Sequence, residues 1–289
     1  MKRFKIGVII ESFRAGLRGG LEAAAEVGVQ GIQFYATLGE THFERLQGKA
    51  FAEFQAILRD LRLDVSAVCA DFGGHGFANE SDNGVRLANT RRIIELARSL
   101  NCSVVTTHIG VIPTSADHPR RSVLATACRE LGRFAHAHDV TLAIETGPEP
   151  AVILREFIDA LELPGGIGVN FDPANLVMVC REDIPAAVRL LAPYIVHTHA
   201  KDGLNLKPVD AWQLYGAFAG VRDPSFNPSD YIRETPLGTG SVPFPSYLSS
   251  LSAIGYQGYL TVERECGEQP RRDIELAVQF LSRHMMESP

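Results

Sequence analysis

TLAIET (residues 141–146), GIGVNFD (166–172), IVHTHAKD (195–202) and YLTVERE (259–265) decide how this chain is read. Each is a short, mostly apolar run that reaches a side chain able to bind a metal or move a proton: Glu145, Asp172, His199 and Glu263. Near-continuous runs rich in Val, Ile and Thr suit parallel strands that are covered on both faces. Four more of the same kind precede them: KIGVII (5–10), GIQFYA (31–36), DVSAVCA (64–70) and SVVTTHI (103–109).

Between the runs lie amphipathic stretches with helical spacing. They include RGGLEAAAEVG, THFERLQGKAFAEFQAILRDL, NTRRIIELARSL, RSVLATACRELGRFAHAH, AVILREFIDAL, DIPAAVRLLAP and PSYLSSLSAIG, and PRRDIELAVQFLSRHM closes the series. Parallel strands need long crossovers, usually helical. Eight strand–helix units therefore predict a closed (β/α)8 TIM barrel, one domain over residues 1–289. The competing arrangement, a doubly wound open sheet, commonly carries a GxGxxG first turn, which is absent here. One unit breaks the rhythm. Residues 203–242, after the seventh strand, hold Trp212, Tyr215 and Tyr231 among Pro and Gly, with no readable helix. An insertion this long reads either as an irregular surface used in oligomer contacts or as a flap over the barrel mouth.

The 289 residues are 45% hydrophobic and 21% charged, a composition that builds a globular core. A net charge of −6 with no Lys or Arg run leaves no electrostatic footprint for nucleic acid or an anionic membrane. No apolar run approaches the ~20 residues of a membrane span. MKRFKIGVIIES meets Glu11 and Arg14 too early for a signal peptide and suits a first strand. The five cysteines are scattered and never form CxxC, which predicts free thiols and a cytoplasmic protein.

In a parallel barrel the carboxyl ends of all strands share one rim, where active sites are built. Glu145, Asp172 and His199 follow one another at 27-residue steps, about one βα unit; the step of 64 to Glu263 contains the insertion. Neighbouring strands lie about 4.8 Å apart, so four such side chains can converge on one ion. Three carboxylates and one imidazole form a mostly hard set that suits one divalent Mn²⁺, Mg²⁺ or Co²⁺, with Zn²⁺ also accommodated. A lone strand-end carboxylate often just caps the next helix or pairs with Arg. Four in succession point to a cation, because burying such charge without a counterion is costly. His197 shares a face with His199, but His199 lies nearer the strand end and fits the repeat; Glu263 is preferred to Glu265 on the same ground. His75, His108, Asn175, Lys201 and Asp202 fall on the same rim as candidates for holding substrate hydroxyls or relaying protons. His75 and His108 equally suit structural hydrogen bonds.

Along nearly its whole length the chain resembles the xylose isomerase-like TIM-barrel superfamily, in particular its sugar phosphate isomerase/epimerase branch. The resemblance rests on AIET (143–146), NFDPAN (170–175), VHTHAKD (196–202), PLGTGSVPF (236–244) and GYQGYLTVERE (255–265). It implies Glu145, Asp172, His199 and Glu263 as metal ligands, the two glutamates doubling as the acid/base pair, and His108 as the strand-four histidine. Where ketose 3-epimerases carry a substrate-binding histidine three residues after the metal aspartate, this chain has Asn175. In place of their Glu-rich, Arg-containing stretch after the metal histidine it has Lys201 and Asp202. The expected activity is metal-dependent isomerisation or epimerisation of a small sugar through a metal-stabilised enediolate. An inosose dehydratase-like lyase runs close behind. An endonuclease IV-like phosphodiesterase is the rival from another class, disfavoured by acidic composition and a modest ligand count. No membrane or nucleic-acid partner is expected, and a homo-oligomer stays open.

Overall fold

Eight parallel strands close on themselves in a computed structural model that describes residues 4–218, 220, 223 and 225–287. They are β1 (Lys5–Ile9), β2 (Gly31–Tyr35), β3 (Asp64–Cys69), β4 (Val104–Thr107), β5 (Thr141–Glu145), β6 (Ile167–Phe171), β7 (Ile195–Ala200) and, after the insertion, β10 (Tyr259–Val262). Each pairs with its sequence neighbour, and β10 closes the ring between β7 and β1. Within the insertion, β8 (Asp202–Asn205) and β9 (Ile232–Thr235) form a separate antiparallel pair.

Register explains how the rim side chains meet. Glu145 pairs with Asn170, not Asp172; Asn170 pairs with His197, and His199 with Thr261. Along hydrogen-bonded rows, Asp172 and His199 therefore stand two residues higher than Glu145, and Glu263 four higher. The strands are tilted, however. On the rim side of its two bulges, the register that leaves β1 at Val8 and passes round the eight strands re-enters β1 eight residues earlier. That is the TIM-barrel shear, about one residue per strand. Subtracting that climb puts Glu145 and His199 in one layer across the axis, with Asp172 and Glu263 about one residue above. The equal 27-residue steps hid a zigzag of two layers, and alternate strands filling alternate layers is how such barrels pack.

Outside the barrel stand α1 (Gly16–Glu26), α2 (Gly48–Leu61), α3 (Glu80–Ser99), α4 (Pro119–Ala137), α5 (Ala151–Asp159), α7 (Ile184–Leu191), α9 (Phe244–Ala253) and α10 (Pro270–Glu287). A short turn, α6 (Pro173–Asn175), runs into a wide turn over Leu176–Cys180. Helix α7 shows the packing logic: Ile184, Ala187, Val188 and Leu191 recur at helical spacing and are all buried. Each fully buried Ile or Leu of this kind contributes about 1.5–3 kcal/mol. Helix α3 starts nine residues before NTRRIIELARSL because Glu80 and Asp82 favour its first turn, although ESDNGVRLA has no apolar stripe. Helix α8 (Ala211–Phe218) lies inside the stretch read as irregular. Asp210 accepts from the backbone N–H of Gln213 at 2.8 Å. An Asp followed three residues later by Gln is a helix-start pattern that could have located it.

Candidate metal centre

Just beneath the rim the barrel interior is polar. Gln33, Thr106, Asn170, His197 and Thr261 are each at most 1% exposed, and their hydrogen bonds aim the side chains above them. Gln33 Oε1 lies 3.0 Å from His197 Nε2 and 3.2 Å from His199 Nε2. An amide oxygen only accepts, so His197 Nε2 carries a proton; His199 Nε2 lies between Gln33 Oε1 and Asn170 Nδ2, the latter at 3.1 Å, and turns Nδ1 outward. Burial, then His199, depresses the affinity of His197 for a second proton well below the ordinary range, which keeps it neutral. The choice between the two histidines thus has a physical answer: His197 is a strut beneath, and His199 presents Nδ1 to the carboxylates.

Around that nitrogen stand three carboxylates. Glu263 Oε2 is 3.1 Å from His199 Nδ1, Asp172 Oδ2 3.3 Å and Glu145 Oε1 3.7 Å. One ligand atom from each of the four residues lies within 4.8 Å of all the others, the one such group among the described residues. Donors on opposite sides of a cation with bonds of about 2.1–2.4 Å end about 4–5 Å apart, so the spread suits one ion. Glu263 Oε2 is buried, with His199 Nδ1 and Lys201 Nζ each 3.1 Å away.

Supporting contacts hold the carboxylates in place. Asn170 Nδ2 donates to Glu145 Oε2 at 3.1 Å and Asn175 Nδ2 to Glu145 Oε1 at 3.0 Å. Asp172 Oδ1 accepts from the N–H of Asn175 at 2.9 Å, so it caps α6 while its other oxygen joins the cluster. Capping and ligand readings of a strand-end Asp coexist in one residue. Gly147, at φ 150, is bare because a Cβ there would fall 2.5 Å from the Tyr215 hydroxyl and 2.6 Å from Asn175 Cβ.

Burial pushes the Glu145 carboxyl up to about 7, against the pull of His108 and His199. His199 is opposed by burial, but Glu145 and Glu263 hold its protonated form well above the usual range. Burial likewise opposes charge on Glu263, and Lys201 and His199 overcome it and draw the group down. Lys201, 5% exposed, places Nζ 3.1 Å from Glu263 Oε2. Three ligand carboxylates, one dication and the Lys201 ammonium balance to zero, which removes the excess negative charge that a dication alone would leave.

A cavity of about 230 Å³ opens above the cluster, lined by Tyr35, Asp71, Gly73, Gly74, His108, Glu145, Asn175, Lys201, Tyr215, Phe218, Glu263 and Glu265. His108 Nδ1 bonds Asp71 Oδ2 at 2.9 Å, and its buried Nε2 has no partner and lies 3.5 Å from Glu145 Oε1. Burial disfavours charge on His108, yet Glu145 and Asp71 raise it to about 10. His108, Asn175 and Lys201 thus reach the cavity. His75 does not line it: its ring stacks on Trp212 of α8 at 4.2 Å and 5°, with the Arg120 guanidinium 3.7 Å over that indole. Asp202 does not line it either. Its carboxylate accepts from four backbone N–H groups, those of Gly203, Gly238, Gly240 and Val242, at 2.8–3.0 Å, and so clasps the turn before α9. Both had been candidates for substrate contact; His75 buttresses the α8 cover and Asp202 is a backbone clasp. Gln33, Asn170, Tyr35 and Tyr215 were missed, since a polar side chain inside a strand run or an aromatic in an insertion carries no signal of direction.

A barrel with a buried acid–histidine cluster at its rim defines the class, and comparison with known proteins gives the family. A family model described as xylose isomerase-like TIM barrel matches residues 21–284, and the chain belongs to that family. No curated protein matches the chain. A xylose isomerase domain protein from Planctomyces limnophilus is 26% identical, with TM-score 0.78 over 98% of this chain and 97% of that one. A D-tagatose 3-epimerase-like protein shares 19% identity, with TM-score 0.75 over 98% of both chains. A probable 3-DHS dehydratase from Bacillus anthracis shares 17%, with TM-score 0.73 over 96% and 99%. Neighbours named for different reactions carry the same barrel, so the fold alone selects none.

Proposed function

We propose that the protein is a metal-dependent isomerase or epimerase of a small sugar, moving a proton at a carbon beside a carbonyl. The carrying observation is the convergence of Glu145, Asp172, His199 and Glu263 within 4.8 Å at the floor of a cavity of sugar size. A bound divalent cation supplies Lewis-acid polarisation of carbonyl and neighbouring hydroxyl oxygens. The protein supplies the proton handling. Glu145 and Glu263 both border the cavity, and one removes the proton while the other returns it. Asn170 and Asn175 keep Glu145 oriented, and Asp71 fixes the His108 ring so that Nε2 points toward Glu145 and the cavity. Tyr215 and Phe218 of α8 line one side of the cavity. No described helix is long and apolar enough to cross a membrane. The described cysteines are all free, in keeping with a cytoplasmic setting.

Loss of a β-hydroxyl, an inosose dehydratase-like reaction, is the second reading. It is favoured by Lys201, an ammonium in the cavity wall placed to stabilise negative charge on a departing hydroxyl. Metal content of the purified protein, followed by assays of Glu145→Gln and Glu263→Gln on a ketose and inosose panel in deuterated water, tests both. The expected result is one equivalent of divalent metal, deuterium entering at the reacting carbon, and losses of about 100-fold or more in kcat for each variant. Full activity in either variant refutes the assignment of the pair.

A further inference from the structure

The loop after β10 is fixed from two sides. The Arg14 guanidinium donates to the carbonyls of Glu265 at 2.7 Å and Gly267 at 2.8 Å. From β9, the Glu234 carboxylate accepts from the N–H of Glu265 at 3.2 Å and of Cys266 at 3.3 Å. Glu234 also pairs with Arg264, whose Nε lies 2.9 Å from Asp273. Arg264 is thus a buried part of this clasp. With its backbone held this way, Glu265 sends its carboxylate back to the cavity, where Oε2 sits 2.5 Å from Lys201 Nζ.

Lys201 is the one Lys or Arg among the described residues that line the cavity. It meets two carboxylates, Glu263 within the cluster and Glu265 at the mouth. Only the first is needed for neutrality. With the ligand carboxylates, a dication and Lys201 summing to zero, Glu265 takes the cavity to minus one. Its side chain is 56% exposed, so it stands at the entrance and away from the cluster floor. The nearby Arg14 and Arg264 are committed to the clasp, and Arg86 donates to the Gly73 carbonyl from outside the lining.

We propose that Glu265 is a specificity residue: by cancelling the Lys201 ammonium it makes the cavity select uncharged polyhydroxy substrates over phosphorylated ones. This rests on the sugar reading above and adds the charge of the substrate. An anionic group entering beside Lys201 meets a carboxylate already in place, and like charges at such range disfavour binding. A neutral polyol suffers no such repulsion.

The test is calorimetric titration of the metal-loaded protein and of Glu265→Gln with sorbitol and with sorbitol 6-phosphate. The wild type is expected to bind sorbitol more tightly. In Glu265→Gln the affinity ratio should move toward the phosphate by about tenfold or more, and the shift should shrink at high salt. Adding Lys201→Met should abolish the gain. A ratio unchanged by Glu265→Gln, or a wild type that prefers the phosphate, overturns the role of Glu265 and leaves the sugar reading standing. A metal-loaded wild type that binds neither polyol refutes the sugar reading itself, and this proposal with it.

Discussion

Glu149 offers a test of the rim that needs no substrate. It lies in the loop after β5, 4% exposed, and its Oε2 accepts from the N–H of Ile112 in the loop after β4 at 3.1 Å. Burial pushes its carboxyl up to about 8 from 4.5, against the Ile112 N–H, His108 and Arg121. The folded state therefore holds this proton more tightly than the unfolded chain does. Its contribution is complete below about pH 4.5 and is lost as pH rises toward 8. At 1.36 kcal/mol per pH unit, the cost of ionising it grows from about 1 kcal/mol at pH 5 to about 4 kcal/mol at pH 8. Glu149→Gln keeps an oxygen for the Ile112 N–H and cannot ionise. Its stability relative to wild type should therefore climb by about 3 kcal/mol between pH 5 and pH 8. Urea unfolding of both proteins at unit pH steps measures this, and groups that titrate alike in the two cancel in the difference. A difference that stays flat across the range refutes a buried, protonated Glu149.

Gln33→Leu removes a polar neighbour of both buried imidazoles and should weaken divalent metal binding about 10–100-fold while leaving the four cluster residues intact; competition with a metal-binding dye reads it. Because nearby carboxylates hold His199 protonated above its usual range, a cation must displace that proton. Metal binding should accordingly release protons and weaken as pH falls, and calorimetry in buffers of different ionisation enthalpy would show the release. Asp202→Ala leaves four backbone donors without their acceptor and should cost about 2–4 kcal/mol of stability with KM little changed. A rise in KM without loss of stability would return Asp202 to the substrate site.

The barrel was legible because each inner strand is covered on both faces and so writes its burial as an unbroken apolar run, as in Leu142 to Ile144 or Ile167 to Val169. Elements without a buried apolar stripe were not. The first turns of α3 bury only Asn83, and α8 buries Leu214 and Gly216 against the rim, so neither shows an apolar stripe. Among site residues, those at strand ends announced themselves. Asn170, inside GIGVNFD, looks like an interruption of the core until the register sets it beside both Glu145 and His197. Lys201 and Asp202 are adjacent in sequence and equally polar, yet one lines the cavity and the other grips a turn. Adjacent residues of an extended chain point to opposite sides, so Lys201 follows His199 toward the cavity while Asp202, paired with Thr235 in β9, turns away.

Charge ties these parts together. A rim built only from Glu145, Asp172, His199 and Glu263 would hold a dication and keep one negative charge in a nearly dry site, a costly state. The chain supplies a positive charge two residues after His199, on the same side of the extended backbone, so that Lys201 faces Glu263 as closely as His199 does. The ammonium adds charge without adding a ligand, since it has no lone pair to offer. It would therefore leave the open positions of a bound ion unblocked. Its place over Glu263 also divides the labour of the two glutamates. Burial raises the proton affinity of both; Lys201 and His199 overcome it at Glu263, while at Glu145, held by amides and imidazoles, burial prevails. Two like residues in unlike surroundings are what a proton-transfer site requires.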